Sequence, residues 1–471
     1  MTSETGVFWL SSDPDKTLPG HLTFSDTGTP ILEVHGQLTP SMQVISHNEE
    51  TGATMMGPAD EPTDLLVHGL LESTPRRVTL IDCMTTGRNE VHFIGAPLDR
   101  HKLQARVMVR GAHLASGEET FNGVRVRAAD IDAWASLPRV QRENPEEEGV
   151  AVRLARLNLP PVETSKGVKL SLKEQLGASW GSLVEGRITR SVWIQAENLG
   201  DLTLRRIDTS FASPIVTYLS FALGSSSPLT ALEVQSGEDW LEVRHGGLRP
   251  DPGPRVQVGD VLLPLHEAGL EVLSGFLDTY EQVGPAAAVV AGLLPRGSNP
   301  NIETQVAELT TVAEGVHRTL FPEDVRMGEE DAERLHALVA AAIAQEDDRL
   351  QQIVNGSVSR LEEANYKQRL KRLVSETTEA LPGVCGKDNR WVSSVYNARN
   401  SFAHRTQGFL EENLIDEFYA VSQSLRWVLM GLLLLRSGVS AETLAARAQQ
   451  NQQYQLFQDH MRSSLPSVYR D

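Results

Sequence analysis

Asn397-Ala398-Arg399-Asn400-Ser401-Phe402-Ala403-His404-Arg405 is the stretch from which the C-terminal half can be read. Trp391, Val395, Ala398 and Phe402 follow one another at spacings of four, three and four, the period of one face of an α-helix. At about 100° per residue, Asn397, Asn400 and His404 fall on the opposite, polar face. Arg399 lies roughly 100° round from Asn400, so on a straight helix Arg399 and His404 point in different directions. Three arrangements reconcile them: the helix ends near Ala403, the arginine reaches round, or the site is composite across two chains. Gly408 and the polar run Arg405-Thr406-Gln407 favour an ending there.

Outward from this stretch, the helical period continues. Ile302, Val306, Leu309, Ala313, Val316 and Leu320 follow it, as do Leu335, Leu338, Val339 and Ile343. A third helix is expected over Arg349 to Val374. Leu414, Phe418, Val421, Leu425, Val428 and Leu432 form a long apolar stripe, a candidate packing face for a second copy of the chain and so for a homodimer or higher oligomer. Pro295 to Pro300, with Gly297 and Ser298 inside, reads as a linker. The resulting division is a helical domain over 298–471, a helical connector and linker over 261–297, and a Gln-rich tail after Ala445 that is expected to fray.

Residues 1 to about 260 carry a different period. Turn signals recur at Asp13-Pro14-Asp15, Asp26-Thr27-Gly28 and Asp251-Pro252-Gly253. Leu22 and Phe24 before the Asp26–Gly28 turn, with Leu32 and Val34 after it, predict a hairpin. Leu103, Ala105, Val107 and Val109 alternate with Gln104, Arg106, Met108 and Arg110, and Val192, Ile194 and Ala196 do the same later. Such spacing predicts a β-rich sandwich or barrel, with room for two sub-modules and a seam in the charged stretch Arg142 to Glu148. The fold class is therefore α+β and multidomain: a β-rich half followed by an all-α bundle.

Composition narrows the function. A chain of 471 residues exceeds one ordinary core, and its 40% apolar content is ample for globular folding. Its two cysteines, Cys83 and Cys385, stand far apart in no metal-type spacing, which favours a reducing, cytoplasmic setting. The opening Met1-Thr2-Ser3-Glu4-Thr5-Gly6 has no signal-peptide character. The most apolar run, Trp427 to Leu435, is too short to span a bilayer, so no membrane partner is expected. A net charge of −19 opposes broad nucleic-acid binding. Locally the balance reverses: nine Lys/Arg stand against five Asp/Glu from Arg360 to Arg405. Lys367, Arg369, Lys371, Arg372 and Arg405 are candidates for an RNA-facing patch, against the plainer reading of a solvated helix face. His21, His35, His47, His68, His92, His101 and His113 are scattered without ligand spacing, so neither a metal nor a cofactor is expected. No phosphate-binding loop, nucleophile elbow or dinucleotide fingerprint occurs.

Arginine offers a fixed fork for phosphate oxygens, and histidine exchanges a proton near neutral pH. The arrangement R-N-x-x-x-H at Arg399, Asn400 and His404 resembles the catalytic motif of the HEPN ribonuclease superfamily. The opening Gly6-Val7-Phe8-Trp9-Leu10, then Leu18-Pro19-Gly20-His21-Leu22-Thr23-Phe24 and Val78-Thr79-Leu80-Ile81-Asp82-Cys83, resembles the N-terminal domain of ApeA-type proteins. The resemblance is sharp at these motifs and loose from about 115 to 300. It implies bacterial anti-phage defence by abortive infection, with the HEPN domain cleaving RNA to leave 2′,3′-cyclic phosphate and 5′-hydroxyl ends. His404 would act as general acid or base, Arg399 would neutralise the phosphorane, and Asn400 would orient His404 or a phosphate. Asn397, Glu314 and His317 are possible supports, weighed against a plain solvent-facing helix edge. The β-rich half would sense a phage-derived protein. The rival from another class is a recognition protein whose β-rich half binds a protein or carbohydrate and whose helical half dimerises.

Overall fold

Period-two alternation runs through the first half of the chain, and there it becomes strand: β1 (Glu4–Leu10), β2 (Asp13–Phe24), β3 (Pro30–His35), β4 (Met42–His47), β5 (Thr54–Pro58), β6 (Leu65–Leu71), β7 (Arg77–Asn89), β8 (Arg100–Arg110), β9 (Thr120–Ala128), β10 (Gln141–Glu143), β11 (Ala151–Arg153), β12 (Val162–Glu163), β13 (Lys169–Trp180), β14 (Gly186–Thr203), β15 (Leu229–Ser236) and β16 (Asp239–His245). Short helices α1 (Ile131–Trp134) and α2 (Leu204–Ile207), a π-helical turn over Asp208–Ala212 and α3 (Ser213–Leu223) interrupt them. Helices follow: α4 (Leu265–Gly292), α5 (Ile302–Leu320), α6 (Glu329–Ile343), α7 (Asp348–Val358), α8 (Tyr366–Thr377), α9 (Asp388–His404), α10 (Glu412–Arg436), α11 (Ala441–Gln450), α12 (Gln452–Ser464) and α13 (Pro466–Tyr469). This computed structural model describes residues 3–47, 52, 54–58, 62–89, 99–137, 141–143, 151–153, 157, 159–180, 186–250, 256–298, 300–358, 362–404 and 412–470. The chain divides into a β-rich unit, Met1–Val216 with Ser227–Arg255, and a helical unit, Thr217–Ser226 with Val256–Asp471.

In the β-rich unit one strand does double duty. β8 pairs along one edge with β7, from Val78↔Arg110 to Asn89↔Arg100. Its other edge is shared: residues 100–104 pair with β3 and residues 107–110 with β16. The first pairing closes a barrel in the order β8-β3-β2-β1-β6-β7, and the second opens an antiparallel extension, β16-β15-β9-β14-β13-β12. The predicted hairpin is β2–β3, with Leu22 opposite Leu32. Leu103, Ala105, Val107 and Val109 are all buried, as are Val192, Ile194 and Ala196. The sheet passes from barrel to extension at β8. The charged stretch read as a seam begins in β10, and residues 144–148 of it lie outside the described residues, as do His92 and the Asp251-Pro252-Gly253 turn.

In the helical unit the stripe from Phe418 through Val421, Leu425, Val428 and Leu432 is buried along α10. α4, α5, α8, α9 and α12 pack around that helix. The stripe is thus used up inside the chain, and it carries no argument for a second copy. Leu414–Arg436 is long and apolar enough to cross a membrane, which the nine-residue run alone is not, yet it is mostly buried among its neighbours, as a core helix is. The helix expected in residues 261–297 is α4, and it packs on α5 and α10 within the helical unit. The single helix expected over 349–374 is two, α7 and α8, because Asn365 caps the second: its side chain accepts from Gln368 N at 3.1 Å and Gln368 returns a bond to Asn365 N at 2.9 Å. The Gln-rich tail is helical too. Asn451 caps α12, and Tyr454, Phe457 and Met461 are buried, with Tyr454 edge-on to Trp427 at 4.9 Å.

Two predictions follow from the barrel. Gly69 on β6 faces Phe8 and Val78, and a Cβ there would stand 2.5 Å from Phe8 Cδ1 and 2.9 Å from Val78 Cγ1. Gly69→Ala is expected to destabilise the β-rich unit by about 1–3 kcal/mol through overpacking, read from denaturant unfolding. His101 is fully buried on β8, accepting from Leu38 N at 3.3 Å and bonded to Thr85 Oγ1 at 2.9 Å. Burial, then the charges of Arg88 and Lys16, pushes its imidazole down to about 4. The unfolded ring protonates near 6.5 and the folded ring only near 4, so the unfolded state binds the extra proton in between. Its stability contribution is therefore complete above pH 6.5 and declines as pH falls towards 4. Unfolding measured across that window should show a shallower acid limb for His101→Gln than for the parent chain.

Candidate active site

The apolar face of α9 sets the motif in place. Trp391, Val395 and Ala398 are buried, and Trp391 donates its Nε1–H to Ser424 Oγ on α10 at 2.8 Å. Asn397 is exposed, and Arg399 and Asn400 are half-buried. The helix continues through His404, so the expected ending near Ala403 is met only at its last residue. The side chains of Phe402, Ala403 and His404, and the whole of 405–411, including Arg405 and Gly408, lie outside the described residues. Five positions on a continuous helix separate Arg399 and His404 by roughly 140° about the axis.

Arg399 is held from two sides. Its Nη2 pairs with Glu314 Oε2 of α5 at 2.6 Å, and its guanidinium carbon lies 4.2 Å from the centroid of the Tyr366 ring on α8. Tyr366 is itself fixed, buried with its hydroxyl donating to Thr310 O at 3.0 Å. Burial raises its phenol pKa, so it offers a neutral ring face. The Arg399 side chain nevertheless keeps 38% of its surface exposed. A planar fork so anchored can turn its remaining N–H groups to an arriving oxyanion.

Behind this pair runs a chain of alternating charge. Glu314 also accepts from Arg318 at 3.1 Å, Arg318 pairs with Glu363 at 2.9 Å, and Glu363 pairs with Arg369 at 2.9 Å. Arg369 is 5% exposed and also donates to Ala364 O at 2.9 Å, so it does not belong to a solvent-facing basic patch. Its Nη1 lies 3.4 Å from His317 Nδ1, and His317 Nε2 lies 3.1 Å from Asp324 Oδ2. An arginine only donates, so Nδ1 accepts and the ring hydrogen sits on Nε2 towards Asp324. His317 is fully buried, and burial lowers its pKa against the pull of Asp324. It braces Arg369 and is closed to solvent, whereas Glu314, one turn earlier on the same helix, reaches Arg399. Arg372 lies over Phe321 at 4.8 Å and pairs with Glu376 at 3.0 Å. Of the expected patch, Lys367 and Lys371 are exposed, Lys367 lying 4.5 Å over the Tyr396 ring.

Sequence reasoning missed Tyr366, Arg318 and Glu363. Asn365 and Gln368, three apart, carried the capping signature that would have started α8 at Tyr366. Arg318 stands four residues after Glu314 on α5, an i,i+4 spacing that could have marked it, whereas nothing local joins Glu363 to Arg318. The charge chain predicts an asymmetry. Arg369→Ala should cost about 1–3 kcal/mol because it strands a carboxylate and buried acceptors. Lys371→Ala, on the exposed face, should stay within about 0.5 kcal/mol of the parent in the same unfolding measurement.

Two family models match the chain: ApeA N-terminal domain 1 over residues 3–245, and Apea-like HEPN over residues 307–443. No curated protein and no solved structure gave a match. The first model spans more than half of the chain, and the second encloses Glu314, Tyr366, Arg399, Asn400 and His404. The barrel and its extension fill the first span, and the bundle around α10 fills most of the second. The chain therefore belongs to the ApeA family, an ApeA N-terminal domain followed by an Apea-like HEPN domain, which points to anti-phage defence through a HEPN nuclease domain.

Proposed function

We propose that the chain is a metal-independent endoribonuclease of the cytoplasm that acts by abortive infection, with Arg399, Asn400 and His404 as its working groups. The observation that carries this reading is Arg399, anchored by Glu314 and Tyr366 yet partly exposed, five residues before a histidine inside the HEPN match. In the reaction the ribose 2′-hydroxyl attacks the adjacent phosphorus and the 5′-oxygen leaves, giving a 2′,3′-cyclic phosphate and a 5′-hydroxyl. His404 takes the proton from the 2′-oxygen or delivers one to the departing 5′-oxygen, since an imidazole can serve as base or acid. Arg399 stabilises the charge that builds on the non-bridging oxygens. Asn400, a neutral amide, orients His404 or a phosphate, and Asn397 borders the same face. Lys367 and Lys371 remain exposed to meet the RNA backbone.

The separation of roughly 140° between Arg399 and His404 on one helix supports a composite site made by two copies of the chain. The β-rich unit is read as the sensor of a phage-derived protein, which must bind the active state more tightly than the resting one to release the nuclease. One observation favours a non-catalytic recognition protein instead: most of the basic residues near the motif are neutralised by carboxylates.

The two readings separate on labelled RNA in EDTA. Cleavage should persist under chelation and fall by about 10²–10⁴ in Arg399→Ala and in His404→Ala, with folding unchanged. Full activity in a folded His404→Ala chain overturns the mechanism. If the site is composite, mixing the two inactive variants should restore about a quarter of the sites, because half of randomly formed pairs are mixed and each holds one intact site. No recovery in the mixture places both groups in one chain. Because α4 belongs to the helical core, the sensing test uses the full chain: silent in uninfected cells, toxic on infection, and harmless in both as Arg399→Ala. Toxicity without infection removes the sensor role.

A further inference from the structure

The β-rich unit holds a cavity of about 230 Å³ that the nuclease reading does not use. Val107 of β8, Leu204 of α2, Leu232 of β15 and Val243 of β16 give it an apolar floor. Four polar side chains converge on it: Arg106, Arg205, Asp208 and His245. Asp208 opens the π-helical turn that follows α2. Such turns are rare and recur at functional sites.

His245 is the telling residue. Its Nδ1 lies 3.1 Å from the Gly247 backbone nitrogen. A backbone N–H only donates, so Nδ1 accepts and the ring hydrogen is on Nε2. That Nε2 is buried and has no hydrogen-bond partner. Its nearest carboxylate oxygen, Asp208 Oδ1, stands 4.0 Å away, beyond hydrogen-bond range. A buried donor left unmade is costly, and a gap of this length admits one oxygen between the two groups. Burial keeps the imidazole neutral against the pull of Asp208. At the rim, Arg106 is fixed by Asp82 at 2.6 Å, whereas among the described residues no carboxylate pairs with Arg205.

We propose that this cavity binds a small hydroxylated oxyanion. Its phosphate or carboxylate group lies against Arg205 and Arg106. One of its hydroxyls fills the gap, accepting from His245 Nε2–H and donating to Asp208. A cavity of about 230 Å³ has room for a sugar phosphate or sugar acid. The two arginines supply the planar recognition that such anions need, and the apolar floor takes the carbon skeleton.

Calorimetric titration of the full-length protein tests this with four probes: ribose 5-phosphate, gluconate, ribose and inorganic phosphate. Ribose 5-phosphate or gluconate should bind, and which of them binds more tightly tells phosphate from carboxylate. Ribose and inorganic phosphate, each lacking half of the recognition, should bind at least about tenfold more weakly. Arg205→Met and His245→Phe should each weaken the favoured probe by about tenfold or more while the unliganded unfolding temperature stays unchanged. Asp208→Asn, which keeps an oxygen acceptor in place, guards against a folding defect in the histidine variant and should lose less. The proposal is overturned if no hydroxylated anion binds in the millimolar range, if inorganic phosphate alone binds as tightly as ribose 5-phosphate, or if the variants bind like the parent. No RNA enters the measurement, so it stands or falls apart from the nuclease reading.

Discussion

A guanidinium at the end of a helix is useful only if something fixes its direction without consuming it. In the helical unit that constraint is met by Glu314 and the ring of Tyr366, which hold Arg399 from two helices at once. The carboxylate takes one nitrogen of the fork and the ring takes one face, leaving other N–H groups on the exposed side. Everything behind follows from keeping Glu314 in place. Arg318 shares it, Glu363 shares Arg318, and Arg369 ties Glu363 to the buried His317. Three helices, α5, α8 and α9, are stitched by groups that would be costly to bury alone.

The same network explains why a local excess of Lys and Arg does not make a basic surface. Arg369 and Arg372 lie in a window rich in positive charge, but both are paired: Arg369 with Glu363 just ahead of its helix, and Arg372 with Glu376 one turn on in the same helix and with the Phe321 ring. A count of charges along the chain does not say which of them pair. Lys367 and Lys371, by contrast, stay exposed.

The β-rich unit answers to a different constraint, the closure of its barrel. β8 meets it on both edges, with its first residues closing the barrel on β3 and its last residues carrying β16. Where the strand changes neighbours, Arg106 and Val107 come beside β16 and α2, and the cavity with His245 and Asp208 opens there. A site at that point is a consequence of topology, since it gathers residues from β8, α2, β15 and β16 that are far apart in the sequence.

What the sequence by itself determined is the class of each half and the face of each strong element. Alternation at Leu103–Val107 is burial alternation in β8, though Met108, expected on the outer face, is buried too; the four-three spacing of Trp391, Val395 and Ala398 is the buried face of α9, because side-chain direction in both elements is set by local backbone geometry. The motif itself was legible as Arg399, Asn400 and His404, and Glu314 as a neighbour worth weighing. Tertiary structure decided the rest. It turned the stripe on α10 inward, since an apolar face packs against whatever helices its own chain supplies first. It folded the Gln-rich tail because Tyr454, Phe457 and Met461 found Trp427 and its surroundings. It separated His317 from Glu314 in role, burying one and leaving the other to reach Arg399, although they are three residues apart. Partners across helices and the closure of a barrel are long-range facts, and no local period encodes them.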